Sequence, residues 1–339
     1  MRRTKKYEKM KAANGLAGTI GLLGIAAVLT CCGVRHGKGK KVSDGPPTAG
    51  IEVLGDPAFV RGMAVSPLWP EIVQRNGGFE KTNTDTIRFT RRKDAPVWQM
   101  AQWASRYDLA GTVARKDSAG GVVFANAGKT VARSADGTLT LDIVTSAEYD
   151  APRKDGEAWP HLLIQQDFVR RPNIGRIGRL DFSMELRIVR CENRMTERQY
   201  DESLHTAQSP FYFYMRNVNP ESPDYGLSLW VGIPSFDFRY PRLTDREVVQ
   251  WDTGTSTYIY SIPPRAVWGD VSFHDFRWHA AHLDLLPLIL RGVEAMREKG
   301  RFVDTRLEDL ELTGMNFGWE VPGTFDAGLM VRNLSVRME

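Results

Sequence analysis

The sequence predicts an all-β fold, an antiparallel β-sandwich of jelly-roll type with one C-terminal surface helix. Three observations carry that prediction. Apolar and polar side chains alternate with period two over short runs, turn residues separate those runs, and a single stretch repeats with a helical period. The clearest run sets Leu180, Phe182, Met184, Leu186 and Ile188 against Asp181, Ser183, Glu185 and Arg187, which puts one face of a strand in a core and the other in water.

The chain opens on a basic head, with Arg2, Arg3, Lys5, Lys6, Lys9 and Lys11 against the single acid Glu8, followed by an uncharged stretch from residue 15 to residue 34. That is the layout of an export signal. Leu29-Thr30-Cys31-Cys32 closes it and resembles the lipobox of bacterial lipoproteins, which implies Cys32 as the lipid-bearing first residue of the mature protein. Cys31 has Val28 where the lipobox prefers Leu. An uncleaved anchor is the alternative, since about 20 uncharged residues just span a bilayer, although Gly and Thr dilute this run. The expected organisation is a signal peptide over 1–32, a basic Gly- and Pro-rich linker over 33–66, and the sandwich over 67–339, with residues 48–80 open between linker and a first edge strand.

Charge follows the same division. Residues 1–41 contribute +9, and the whole chain sums to +4, so the remainder carries −5. The basic balance belongs to the targeting segment, and nucleic acid is not an expected partner. Cys191 is the one thiol beyond the leader, so no intramolecular disulfide staples the mature chain and an apolar core must hold it.

Strands are expected over 122–126, 128–134, 139–143, 210–215, 226–233, 256–262 and 325–336. Ala135-Asp136-Gly137 turns the second of these into the third as a hairpin. Phe211-Tyr212-Phe213-Tyr214-Met215 is apolar on both faces and reads as a mid-sheet strand covered on both sides. The helix is expected over 285–299, with Asp284 as N-cap, Pro287 in the first turn and Gly300 at its end.

Residues suited to chemistry are aromatic and polar. Sugar rings present flat C–H faces that stack on aromatic rings, while their hydroxyls pair with Asp, Glu, Asn, Arg and His. Nine Trp make that chemistry available, although Trp is also a good core filler. Trp98, Trp103 and Trp159 lie beside turn-like polar segments and are the first ligand candidates. Gly318-Trp319-Glu320-Val321-Pro322-Gly323 reads as a turn displaying Trp319 and Glu320, with Glu320 as a sugar-binding group or a catalytic carboxylate. Asp237, Arg239 and Tyr240 alternate onto one side, where an Asp–Arg surface pair is the plain alternative. His161, after Trp159-Pro160, is a conceivable base.

His274, Asp275, His279, His282 and Asp284 have metal-like spacing only if their segment is helical; a turn with ordinary histidines is the preferred reading. No cofactor is required, and a structural calcium would take Asp326 as its first ligand. A Gly-x-Ser-x-Gly elbow, a P-loop and a dinucleotide fingerprint are all absent from the sequence, so lipase-like, NTPase and redox readings have no motif behind them.

With this organisation the chain resembles the exported, concanavalin-like β-jelly-roll proteins of bacterial glycan-utilisation systems. The leader with Cys32, the Trp319-Glu320 loop and the closing strand over 326–336 carry the resemblance. It implies a lipid-anchored, carbohydrate-binding protein of the cell envelope, whose partners are a polysaccharide or oligosaccharide and, through the lipid, a membrane. A glycoside hydrolase or polysaccharide lyase on the same fold is the alternative, with Glu320 or His161 in acid/base duty. A non-catalytic envelope scaffold, its aromatics all in the core, is the third reading.

Overall fold

A computed structural model of the chain describes residues 49–69 and 83–339, together with the backbone of two short strands at 74–75 and 78–79. The leader, Cys32 and most of the basic tract lie outside the described residues. In chain order the strands are β1 (Ile51–Glu52), β2 (Met63–Val65), β3 (Gln74–Arg75), β4 (Gly78–Phe79), β5 (Asp85–Ile87), β6 (Trp98–Ala101), β7 (Arg115–Lys116), β8 (Val122–Ala125), β9 (Lys129–Arg133), β10 (Leu139–Val144), β11 (His161–Asp167), β12 (Leu180–Asn193), β13 (Gln208–Asn217), β14 (Ser228–Asp237), β15 (Val248–Asp252), β16 (Thr257–Ser261), β17 (His279–Asp284), β18 (Leu310–Glu320) and β19 (Phe325–Met338).

Two large sheets form the sandwich. One runs β17-β12-β19-β10-β9-β8-β7, with β1 added beside β19, and the other runs β15-β16-β14-β13-β18-β11-β6-β2-β5. The pairings are antiparallel except β14 with β16 and β2 with β6. Leu180, Phe182, Met184, Leu186 and Ile188 of β12 are all buried, as their alternation requires. Phe182 meets Phe211 and Phe213 of the opposite sheet edge-on, at ring separations of 5.3 and 6.1 Å. Burying one such ring stabilises the fold by about 2 kcal/mol.

The expected hairpin is β9–β10, turned by Gly137 at φ +92°, a conformation glycine adopts without steric cost. The helix spans Leu286–Glu298. Asp284 Oδ1 accepts from the Leu286 amide at 3.1 Å, so it ties down the helix start from one residue before the cap position. Ile289, Val293 and Met296 face the core, and Gly300 at φ +69° follows the last turn.

Three expectations need correction. β1 and β2 are built into the two sheets, so the stretch expected to be linker carries sheet strands from Ile51 on. The segment His279–Asp284, read by preference as a turn, is strand β17, which pairs with β12 and sends His279 and His282 to opposite faces; the helical ligand spacing of the alternative does not arise either. Residues 310–320 form the long central strand β18, so Trp319 and Glu320 stand at a strand end rather than on a displayed turn.

Candidate functional site

The site grows from alternation on β18. Met315, Phe317 and Trp319 point into the core, which leaves Asn316, Gly318 and Glu320 on the other face of the nine-stranded sheet. On β13 Phe211, Phe213 and Met215 take the core side, and Tyr212 and Tyr214 share the face of Glu320. Register then sets His161, Glu320, Gln208 and Asp237 opposite one another across β11, β18, β13 and β14. A second row runs Gln99, Gln165, Asn316, Tyr212, Gly232 and Ser261. Between the rows the backbone shifts register at Ser209/Pro210, where Pro210 pairs with Pro234; such irregularities re-aim side chains beside sites.

Above these rows lies a cleft of about 540 Å³, lined among others by Trp159, His161, Gln208, Tyr212, Trp230 and Glu320. Gln208 Nε2 donates to Glu320 Oε2 at 3.0 Å. Protein surrounds the Glu320 carboxyl on all but its cleft side, and that burial, reinforced by the nearby charge of Asp252, pushes its pKa up to about 7. The hydrogen bond from Gln208 acts the other way without cancelling the shift. Next to it, burial pushes the His161 imidazole down to about 4, so it is neutral at neutral pH. Trp159 stacks on His161 with ring centroids 5.7 Å apart, and Trp103 packs against the same ring at 5.8 Å. The indole N–H groups of Trp103 and Trp159 and His161 Nδ1 are buried without a hydrogen-bond partner among the described residues.

The structure divides the ligand candidates. Trp159, His161, Asp237, Arg239 and Glu320 line the cleft, and Trp103 supports His161 from behind. Trp98 and Trp319 do not reach it. Trp98 is 1 % exposed and its indole donates to the Asp56 carbonyl at 2.8 Å, while Trp319 is fully buried and donates to Leu141 at 3.1 Å. Both are core residues: Trp319 takes the inward position of alternating β18, and Trp98 lies on β6, which is buried along its whole length. Asp237 holds Arg239 with both carboxylate oxygens and accepts from Thr206 Oγ1 at 2.7 Å, so the two do pair, but as a largely buried pair at the cleft wall and not as the surface pair of the plain reading. Tyr240 lies under the Arg239 guanidinium at 5.2 Å, beside a smaller hollow of about 60 Å³. Asp326, the calcium candidate, is engaged by Arg194 Nε at 2.7 Å and the Ser146 amide at 3.2 Å. Among the described residues no group of three or more His, Cys, Asp or Glu is placed to hold a metal ion.

Gln208, Tyr212, Trp230 and Asp252 belong to the cleft without having been singled out. Trp230 packs against Tyr214 and Tyr212 at 4.7 and 5.4 Å. The run from Phe211 to Met215 is indeed mid-sheet, but Tyr212 on its outer face opens on the cleft instead of lying under a second layer.

No protein-family model matches the chain, and no curated protein matches it. Among solved structures it is similar to a thermostable cellulase derived from Cel12A of Rhodothermus marinus, at 15% identity over 67% of this chain and 96% of that one, with a TM-score of 0.37. It is also similar to endoglucanase 3 of Trichoderma harzianum, from family GH12, at 11% identity over 73% and 100%, with a TM-score of 0.38. A family 12 xyloglucanase from Bacillus licheniformis follows at 10% identity over 67% and 97%, with a TM-score of 0.35. At such identities and scores, what the cleft does rests on its own residues.

Proposed function

We propose that the cleft binds a carbohydrate chain. The observation that carries this reading is the lining itself: the rings of Trp159, Trp230 and Tyr212 stand beside uncharged hydrogen-bonding groups, Gln208, neutral His161 and a Glu320 that keeps its proton up to about pH 7. Rings supply flat apolar contact for the faces of a sugar. Amide, imidazole and carboxyl groups supply donors and acceptors for its hydroxyls without the desolvation cost of a bare charge. A purely structural role for the aromatics is disfavoured, because Trp159, Trp230 and Tyr212 line open space.

A second reading, hydrolysis of the bound glycan, is favoured by one specific feature. Glu320 is a carboxylic acid held protonated near neutrality, and Asp252 lines the same cleft close enough for its charge to raise Glu320. A carboxylic acid held protonated near neutrality, with a second carboxyl group in the same cleft, is the kind of pair that glycoside cleavage by acid and base or nucleophile uses. Incubating the full chain with a panel of polysaccharides, and reading both retention in affinity gels and release of reducing ends, tests both readings. Retention alone supports binding; release that disappears in Glu320→Gln supports hydrolysis; neither result across the panel removes the carbohydrate reading.

The place of action we propose is the cell envelope, with the protein lipid-anchored through Cys32. The support is the leader and its lipobox-like end. Labelled palmitate is expected to enter the wild-type chain and not Cys32→Ala; equal labelling of both would remove the anchor.

A further inference from the structure

Arg153 stands at the Trp159 end of the cleft, away from the rows of His161, Glu320 and Gln208. Its side chain lines the cleft although the residue is only 6 % exposed. The guanidinium carbon lies 4.9 Å from the centroid of the Trp159 ring, and Trp159 in turn stacks on His161, the cross-strand neighbour of Glu320. Nε is used, donating to the Glu157 carbonyl at 2.8 Å. The two terminal nitrogens have no acceptor and no carboxylate in contact among the described residues. This is unusual in a chain whose other buried or half-buried guanidinium at the cleft, Arg239, is clamped by Asp237.

A largely buried guanidinium with no counter-charge in contact loses much of its hydration, and its open side toward the cleft replaces only part of it. The charged groups around Arg153 do not supply the replacement. Asp155 and Glu157 are exposed, and Glu157 directs Oε2 to the Lys154 amide at 2.9 Å. The local backbone meanwhile holds the side chain in place: His205 Nε2 lies 2.8 Å from the Arg153 carbonyl oxygen, and the Glu157 amide donates to the Lys154 carbonyl. The result is a fixed, planar pair of donors on an aromatic support, facing a cleft already furnished for sugar hydroxyls. Arginine forks of this kind match the paired oxygens of a carboxylate or the oxygens of a sulfate.

We infer that the cleft takes an anionic saccharide, and that the terminal nitrogens of Arg153 bind a carboxylate or sulfate carried by the sugar unit stacked near Trp159. This rests on the carbohydrate reading and narrows it to acidic glycans. The unpartnered indole N–H groups of Trp159 and Trp103 lie at the same end of the site, and the first of these lines the cleft beside Arg153.

The test is affinity electrophoresis of the full chain in gels cast with polygalacturonate, alginate, a sulfated galactan and a neutral glucan. Retention is expected in a uronate or a sulfated gel, whichever charge the site takes, with affinity falling about tenfold in Arg153→Gln and with rising salt. Arg153→Lys keeps the charge without the fork and is expected to fall between the two. Should Arg153→Gln fail to fold, the ligand is altered instead: the carboxyl-reduced or desulfated form of the retained polymer is expected to bind the wild-type chain about tenfold more weakly. Equal binding of the charged and the charge-stripped polymer, or retention of the neutral glucan alone, overturns the inference and leaves the carbohydrate reading standing. Retention by none of the gels overturns both.

Discussion

Glu320 and Trp319 are chain neighbours with opposite fates, one facing the cleft and the other locked in the core. Read as a displayed turn, the peptide offered both as ligand groups. Continuing the period-two alternation back from Glu320 through Gly318 and Asn316 separates them, and that signal was present in the sequence. Their substitutions should therefore differ in kind. Trp319→Ala is expected to cost about 4 kcal/mol in denaturant unfolding, the scale of an emptied core Trp site. Trp159→Ala is expected to stay within about 1 kcal/mol of wild type while glycan retention drops, in keeping with its place on the lining. Glu320 makes a prediction in pH. Its pKa rises from 4.5 to about 7 on folding, so between those values the native state holds a proton that the unfolded state has released. The stability this contributes is full below about pH 4.5 and is lost as pH rises through 7. In Glu320→Gln the loss of stability between pH 5 and pH 8 should shrink by about 2 kcal/mol, on the basis of about 1.4 kcal/mol per pH unit with some solvent relief from the cleft. An unchanged slope in urea titrations at the two pH values would move that proton off Glu320.

At the scale of elements, what was legible tracks how cleanly one face differs from the other. β12, β10 and β19 alternate and could be read directly, and the β9–β10 turn carries its glycine. β2 and β6 could not be read, because Met63-Ala64-Val65 and Trp98-Gln99-Met100-Ala101 are buried throughout and show no period. β17, with His-Ala-Ala-His-Leu-Asp, supports neither period, so the histidines could be placed on a helix face that does not exist. Two elements make testable claims. Gly318 sits at φ +147°, where a Cβ would come within 2.3 Å of the Leu162 carbonyl oxygen on β11. Gly318→Ala is expected to cost about 2 kcal/mol or more and to loosen hydrogen-exchange protection along β11, because either the β11–β18 pairing or the backbone angle must give. The start of β9 carries Lys129, which is fully buried with its ammonium 3.8 Å from the carboxylate of Glu148 and touching Ser105 Oγ and the Tyr107 carbonyl. Glu148 itself accepts from Ser105 Oγ at 2.6 Å and the Arg106 amide at 2.5 Å, so this network pins the loop after β6 to the short helix Thr145–Glu148. Lys129→Met, which strands Glu148 in the interior, is expected to lower stability by about 3 kcal/mol in thermal or urea unfolding.

For the whole molecule, the pattern of strands yielded a sandwich, but not the order of strands that makes its floor. The cleft is assembled from β11, β13, β14 and β18, segments spread over more than 150 residues of chain, and no local motif announces such a row. Only the pairing registers bring His161, Glu320 and Gln208 together, and register is set by long-range contacts. At the same scale, β18 belongs to the cleft sheet and β19 to the other, so the chain passes from one layer to the next immediately after Glu320. Two side chains brace that passage. The Trp319 indole reaches across to Leu141 on β10, and Thr145 Oγ1 donates to the Gly323 carbonyl at 2.8 Å and accepts from the Phe325 amide at 2.6 Å. The carboxyl at the centre of the cleft is thereby mounted on the joint between the two layers rather than on a loop that can loosen by itself. Warming such a protein should yield copies with the cleft intact and copies wholly unfolded, with no half-worn molecules between them.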